Sequence, residues 1–400
     1  MNDRLAHDPT PERATQSPRQ ATEAVMDHPD RIARVLAGIA ERIRDNGREA
    51  EQHDRFPAEN YALMKEQRLF SALVPQDFGG GGWDYAEMCR LLTALARSHP
   101  STALSFSMHQ HIVAANRYNH QHGRPGKAVL EKVAAAELAL VSTGAGDWLA
   151  SSGEMRRTDG GYLFSAVKHF ASGSPAADLL VTSGPFEDPE AGWQVLHFPV
   201  PLNADGVTVL DNWRPLGMRA TGSNSVRLDE VFVPEAAIAV RRPRGDYHTM
   251  WSVILPVALP LIMSVYRGIA ESAAEKACTL CRGSNDPVTP YLLGEMQNAL
   301  TTARVMVDDM VRLVGNFEFD ADLATVDEIV RRKTLAAEAC KQTAAKALEA
   351  CGGRGFMRDT GIESLFRDAQ AAHFHPLQEK RQLLFSGSLA MGKEPPSQAF

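Results

Sequence analysis

The sequence predicts an α+β protein in which a helical domain, a compact β domain and a second helical domain follow one another along 400 residues. Three observations carry this expectation. Apolar residues recur at helical spacing from Val25 to about Glu137. Short β-rich runs separated by Gly, Pro, Asp and Asn replace them from Leu138 to about Arg244. Long helical patterns then return from His248 onward.

Taken in order, residues 1–24 are rich in Pro, Gln, Thr, Arg and Asp and almost free of apolar side chains, which predicts a disordered tail. The N-terminal helical domain, 25–137, contains RIARVLAGIAERIRD and YAEMCRLLTALARS, interrupted by LVPQDFGGGGWD. That glycine run reads as a flexible loop leading into a helix at Tyr85, and without a terminal GK[ST] it is not a phosphate-binding P-loop. The middle segment, 138–244, supplies YLFSAVKHF, DLLVTSG, WQVLHFPV and NSVRLDEVFVP as strands of a barrel-like β domain. Between 245 and 392 the long patterns MWSVILPVALPLIMSVYRGIAESAAEKACTL, PYLLGEMQNALTTARVMVDDMVRLVG and ATVDEIVRRKTLAAEACKQTAAKALEACGG have wide apolar faces, as in an antiparallel bundle. Residues 393–400 form a short tail.

Composition excludes several functions. The net charge of −7, with both signs well mixed, argues against nucleic acid or an anionic membrane as the main partner. The longest apolar run, Met250 to Tyr266, is short for a membrane span and contains Pro256 and Pro260, so a buried helix is expected. Cys278-x-x-Cys281 lacks the further ligands of a zinc site and reads as one helical turn, so no metal is expected. Scattered cysteines and the absence of a signal peptide point to a reducing cytoplasm. The helical, β, helical order excludes a doubly wound nucleotide fold, and no GxGxxG follows a strand.

Five stretches carry a resemblance. STGAGDWLASSG (142–153), KHFASGSPAADLLVTSG (168–184), WRPLGMRATGSNSVRLDEVFVPEAA (213–237), CGGRGF (351–356) and RDAQAAHFHP (367–376) resemble the acyl-CoA dehydrogenase superfamily over roughly residues 30–392. The resemblance implies that fold, with a C-terminal four-helix bundle and a flavin, FMN or FAD, between the β domain and the bundle. A neighbouring subunit of a homotetramer would complete the site. Thr143 is then expected at the flavin pyrimidine ring, with Phe170 and Ser172 beside the isoalloxazine, where a hydrogen-bonding group tunes its electronics. Gly352 and Gly353 would let backbone approach a cofactor phosphate. Arg282 resembles an arginine that reaches a flavin phosphate. The Phe-Gly that follows it in the family is replaced by GSNDP, which leaves the adenine end of FAD held differently or absent.

The same resemblance bears on the chemistry. Dehydrogenases of the family remove an α-proton with a carboxylate, and general-base catalysis is typically worth about 10²–10⁴-fold. The two positions at which family members place that base are Pro376 and Ala258 here, both apolar. His375, FASG (170–173) and His109 instead resemble a branch of reduced-flavin monooxygenases, such as dibenzothiophene monooxygenase and the two-component phenol hydroxylases. There, activating dioxygen on flavin needs hydrogen-bond donors and a dry pocket. Ser172, His109 and His375 are the expected donors, a separate flavin reductase the expected partner and a hydrophobic small molecule the expected substrate. His109 also fits a buried structural histidine, and His373-x-His375, read alone, fits simple packing. The alternatives are an acyl-CoA dehydrogenase with a displaced base at Glu349 or Glu379, a base-less thioester enzyme such as a desulfinase, and a non-catalytic flavin-binding protein.

Overall fold

Asp84 ends the glycine run and starts a helix by a reciprocal cap. Its carboxylate accepts from Glu87 N at 2.6 Å, and the Glu87 carboxylate accepts from Asp84 N at 2.8 Å. The computed structural model describes residues 28–144, 147 and 149–399; the expected tail at 1–24 lies outside them. The first layer comprises α1 (His28–Gln52), α2 (Ala58–Glu66), α3 (Tyr85–Ser98), α4 (Pro100–Gln121) and α5 (Lys127–Ala136). The glycine loop before α3 is packed rather than slack. A Cβ at Gly80 would lie 2.2 Å from Val74 O, and Arg31 stacks 4.5 Å above Trp83 while donating to Gly81 O at 2.9 Å.

Eight strands follow: β1 (Leu140–Ser142), β2 (Glu154–Thr158), β3 (Gly161–Ala171), β4 (Leu179–Asp188), β5 (Gly192–Pro201), β6 (Val207–Val209), β7 (Asn224–Pro234) and β8 (Val240–Pro243). They form two four-stranded sheets of order β1-β4-β5-β8 and β2-β3-β7-β6. Only the β1–β4 pairing is parallel. The strand alternation turns Tyr162, Phe164, Leu180, Leu196, Phe198, Val226 and Leu228 into a core of their own, separate from the helical one. The β3–β7 register slips between Lys168 and Ala171, so β3 bulges where KHFASG begins and re-aims the side chains there.

Three long helices, α6 (Trp251–Leu280), α7 (Thr289–Val314) and α8 (Leu323–Ala350), build the C-terminal bundle. The short α9 (Ile362–Ala369) and α10 (Glu379–Ala390) complete it. α6 is apolar and long enough to cross a membrane, yet 89% of its most apolar window is buried inside the protein. It packs against α3 and α4 as well as α7 and α8, with Tyr85 Oη donating to Val257 O at 2.8 Å and Thr93 Oγ1 to Ser264 O at 3.0 Å. The last residues, expected as a tail, turn back at Ser397–Ala399 and bury Ala399.

The loop between β6 and β7 joins the β domain to the bundle by lying on α9. A Cβ at Gly217 would sit 2.3 Å from Arg367 O and 2.7 Å from Asp368 N, so only glycine permits this approach. Gly217→Ala should therefore lower unfolding stability by about 1–3 kcal/mol in urea titration. Gly294→Ala, in the interior of α7 with nothing near its Cβ, should be neutral or stabilising by up to about 1 kcal/mol.

Candidate active site

The bulged end of β3 carries the site. Phe170 is 55% exposed, and its ring centroid lies 5.3 Å from that of Trp213 in the β6–β7 loop, giving an apolar ledge at the domain junction. The turn after β1 is fastened beside it: Gly144 N donates to His169 O at 3.0 Å, and a Cβ on Gly144 would lie 2.7 Å from that oxygen. Thr143 is half-buried in this turn, and its hydroxyl has no hydrogen-bond partner among the described residues. Lys168, fully buried in β3, forms an ion pair with Asp147 at 2.5 Å and donates to Ser152 O at 2.7 Å, which holds the loop leaving the turn. Burial lowers its pKa, and Asp147 opposes that shift. Thr143, Phe170 and Ser172 are thus brought to one edge of the β domain.

Ser172 ends a chain of hydroxyls whose direction can be deduced. Thr221 Oγ1 lies 3.0 Å from Met218 O, and because a carbonyl can only accept, Thr221 donates. Ser223 Oγ, 2.7 Å from Thr221 Oγ1, must then donate to Thr221, and Ser172 Oγ, 2.8 Å away, must donate to Ser223. Ser172 therefore spends its proton inward and turns lone pairs outward. This corrects the expectation of a donor: with the chain intact, Ser172 offers an acceptor to a ligand N–H or O–H. Met218 anchors the chain, since its carbonyl also accepts from Trp213 Nε1 at 3.1 Å and its N–H donates to Asp368 Oδ1 at 2.6 Å. Burial, and next the Glu51 charge, raise the Asp368 pKa to about 8.

Both ring nitrogens of His109 are taken by the main chain. Nδ1 accepts from Leu140 N at 3.1 Å, which leaves the proton on Nε2 to donate to Phe70 O at 2.8 Å. His109 is a strut between α4, β1 and the segment before the glycine loop, with no ring nitrogen left for a ligand, contrary to the expected catalytic donor. His111, not singled out from the sequence, points instead toward the β1 turn, with Nε2 3.5 Å from Ser142 Oγ. Two residues along a helix differ by roughly 200°, so a match misplaced by two positions selects the opposite face. Burial lowers both imidazole pKa values to about 4.

His375 follows α9. Its Nε2 lies 2.7 Å from Tyr266 Oη of α6, and its carbonyl accepts from the buried Lys333 Nζ at 2.7 Å. Lys333 also donates to Leu377 O at 3.1 Å, and burial lowers its pKa to about 8. Burial, reinforced by Lys333, lowers the pKa of His375 to about 3, so the ring is neutral. The remaining expected residues stand apart. Arg282 follows the end of α6, about 24 Å along the axis from Tyr266 at ~1.5 Å per residue. It is exposed, and beside it Cys281 Sγ lies 3.8 Å from Cys351 Sγ, which places Gly352 and Gly353 at the same end. No atom lies within 4 Å of a Cβ on either glycine, so both face open space. Arg282, Gly352 and Gly353 thus stand together at the end of α6 remote from Tyr266 and His375.

No carboxylate stands at either family base position, since Ala258 and Pro376 occupy them. Glu349 is exposed and paired with Lys346 at 3.0 Å, and Glu379 is paired with its neighbour Lys380 at 3.3 Å.

His109 makes a stability prediction. Its pKa is about 4 in the folded state against about 6.5 unfolded. The unfolded chain therefore binds more protons between these values, and stability falls as pH falls through that window. His109→Ala should flatten this slope by up to one proton in urea titrations at pH 4–7. At neutral pH it should cost about 1–3 kcal/mol for each main-chain group left unpaired.

The chain matches the acyl-CoA dehydrogenase N-terminal domain over residues 31–137 and the acyl-CoA dehydrogenase C-terminal domain over residues 263–379. It is 25% identical to dibenzothiophene monooxygenase of Rhodococcus qingshengii, over 92% of this chain and 93% of that protein. It is 27% identical to L-evernosamine nitrososynthase of a Micromonospora species, over 86% and 85%. Among solved structures, KijD3 in complex with FMN and dTDP-3-amino-2,3,6-trideoxy-4-keto-3-methyl-D-glucose shares the fold, with a TM-score of 0.83 and 21% identity over 93% of this chain and 96% of that one. With both helical domains matched and the β domain between them, the chain belongs to the acyl-CoA dehydrogenase superfamily of flavin-dependent oxidoreductases.

Proposed function

We propose that the chain is the oxygenase component of a two-component monooxygenase, which takes reduced flavin from a separate reductase and uses dioxygen to oxidise a small hydrophobic molecule. One observation carries this reading: Ser172 offers a hydroxyl acceptor and His375 a neutral imidazole, while both positions for an α-proton base are apolar. An acyl-CoA dehydrogenase without that base loses the step that defines it.

The residues fit a flavin. The exposed Phe170–Trp213 ledge suits a planar ring, and the unpartnered Thr143 hydroxyl suits its polar edge. Ser172 has outward lone pairs for a ring N–H. Arg282, Gly352 and Gly353 of a neighbouring copy would hold the phosphate end, since within one chain they stand about 24 Å along α6 from Tyr266 and His375. The co-crystallised FMN of KijD3 and the missing Phe-Gly after Arg282 both favour FMN. When bound in reduced form, the flavin supplies the electrons that activate dioxygen. This chain's own residues accept a hydrogen bond at Ser172, offer an imidazole at His375 and exclude water with apolar side chains. From Trp251 to Tyr266, α6 carries no charged residue, which favours an apolar substrate of the kind named by the dibenzothiophene relative over a charged one.

A homotetramer belongs to the same reading. Leu335, Phe356, Met357, Leu383 and Met391 are exposed on α8, α10 and their flanks, an apolar surface that bundle pairing would cover. Light scattering at micromolar concentration should give four times the 43.7 kDa chain mass, and a monomer would contradict this.

The functional test has two arms. Anaerobic addition of short, medium or branched acyl-CoA should leave the bound flavin oxidised; rapid bleaching would restore the dehydrogenase reading. Reduced-flavin-loaded protein exposed to oxygen with substrate should release less hydrogen peroxide per flavin than free flavin does. Ser172→Ala should raise that ratio toward the free-flavin limit of one peroxide per flavin, because the site loses the acceptor that fixes the ring. Peroxide release at the free-flavin level from wild type, with no substrate oxidised, would sink the proposal.

A further inference from the structure

Tyr266 stands in the middle of α6, fully buried, and its ring meets that of His375 at a centroid distance of 5.4 Å and an interplanar angle of 61°. Its hydroxyl lies 2.7 Å from His375 Nε2, and among the described residues it has no other hydrogen-bond partner. A buried phenol O–H needs an acceptor, and the only one in reach is that nitrogen. If Nε2–H donated to the phenol instead, the phenol proton would be left unpaired in an apolar interior, at a cost comparable to a lost hydrogen bond. The phenol therefore donates, and Nε2 carries the lone pair.

A neutral imidazole holds one proton, so it must be on Nδ1. Two features keep the ring in this state. Burial holds the phenol protonated. Lys333, whose ammonium reaches the His375 and Leu377 carbonyls from α8, opposes a second positive charge and clamps the main chain on either side of Pro376. Nδ1 has no hydrogen-bond partner among the described residues, so it is the ring atom left for a ligand.

We propose that Tyr266 is a positioning residue: by donating to His375 Nε2 it fixes the Nδ1–H tautomer, so that His375 presents a hydrogen-bond donor, never a base, to whatever occupies the site. The tautomer follows from the geometry alone. Its consequence for oxygen chemistry rests on the monooxygenase reading. Ser172 and His375 then play opposite parts, one accepting and one donating, each set by a neighbour that does not itself reach the ligand.

The test is nitrogen NMR on full-length, ¹⁵N-histidine-labelled protein, with the His375 signals assigned by their loss in His375→Asn. Wild type should show a protonated, pyrrole-type Nδ1 and a bare, pyridine-type Nε2. In Tyr266→Phe a measurable share of the ring should move its proton to Nε2. A wild-type ring protonated at Nε2 overturns the proposal, as does a Tyr266→Phe protein with an unchanged tautomer, and the wild-type spectrum decides even if that variant does not fold. In the activity arm, an Asn amide mimics a donor near Nδ1 and a Gln amide one near Nε2. His375→Asn should therefore release less peroxide per flavin oxidised than His375→Gln, and equal release would contradict the donor role of Nδ1–H. If wild type itself reoxidises flavin without coupling, the monooxygenase reading fails while the tautomer measurement still stands on its own.

Discussion

The contact on which the site depends is the seating of the Gly217–Met218 backbone on the end of α9. Gly217 admits the Arg367 carbonyl where any side chain would collide, and Met218 N donates to the buried Asp368. Everything on the β-domain side hangs from that peptide. Met218 O receives Trp213 Nε1 and Thr221 Oγ1, Trp213 meets Phe170 edge to face, and Thr221 starts the chain of hydroxyls that ends at Ser172. The Met218 carbonyl sets the direction of the Ser172 hydroxyl, and the interdomain bond to Asp368 holds Met218 in place. Arg367 adds a second tie by donating to Leu216 O at 3.0 Å, so the loop is held from both the backbone and a side chain.

The bundle side is organised by the same physics, burial of polar groups that must then be paired. Lys333 and Tyr266 are both almost inaccessible, one cationic and one neutral, and each spends its donors on the His375 segment. Lys168 does the same for the loop after β1. Buried lysines without a full set of partners are costly. In each case the carbonyl or carboxylate acceptors come from a loop, so each lysine ties a loop to the strand or helix that carries the lysine.

The helical, β, helical order was legible in the sequence because its periodicities are long and change sharply near 138 and 245. Thr143, Phe170 and Ser172 were singled out because contiguous motifs carry them, and the structure sets them along one edge of the β domain. His109 was misassigned because its motif lies on a helix, where a neighbour two residues away faces the other side, and periodicity does not say which side meets β1. The polarity of Ser172 was hidden for another reason: it is set by Thr221 and Ser223, about fifty residues away, through a carbonyl that itself depends on α9. Lys168 and Lys333 look like ordinary surface lysines in a strand and a helix, and only tertiary packing buries them. The glycine loop and the final residues were expected to be loose because their composition is that of loops. Tight backbone approach at Gly80 and burial of Ala399 are invisible to composition.

A double-mutant cycle tests the central claim, that the junction peptide orients Ser172 through the hydroxyl chain. Reduced-flavin affinity would be measured for wild type, Thr221→Val, Ser172→Ala and the double variant. Because Thr221 acts on the ligand only by way of Ser223 and Ser172, the account predicts strong non-additivity, with a coupling of at least about 1 kcal/mol. Additivity within about 0.3–0.5 kcal/mol would show that the two hydroxyls act independently and would contradict it.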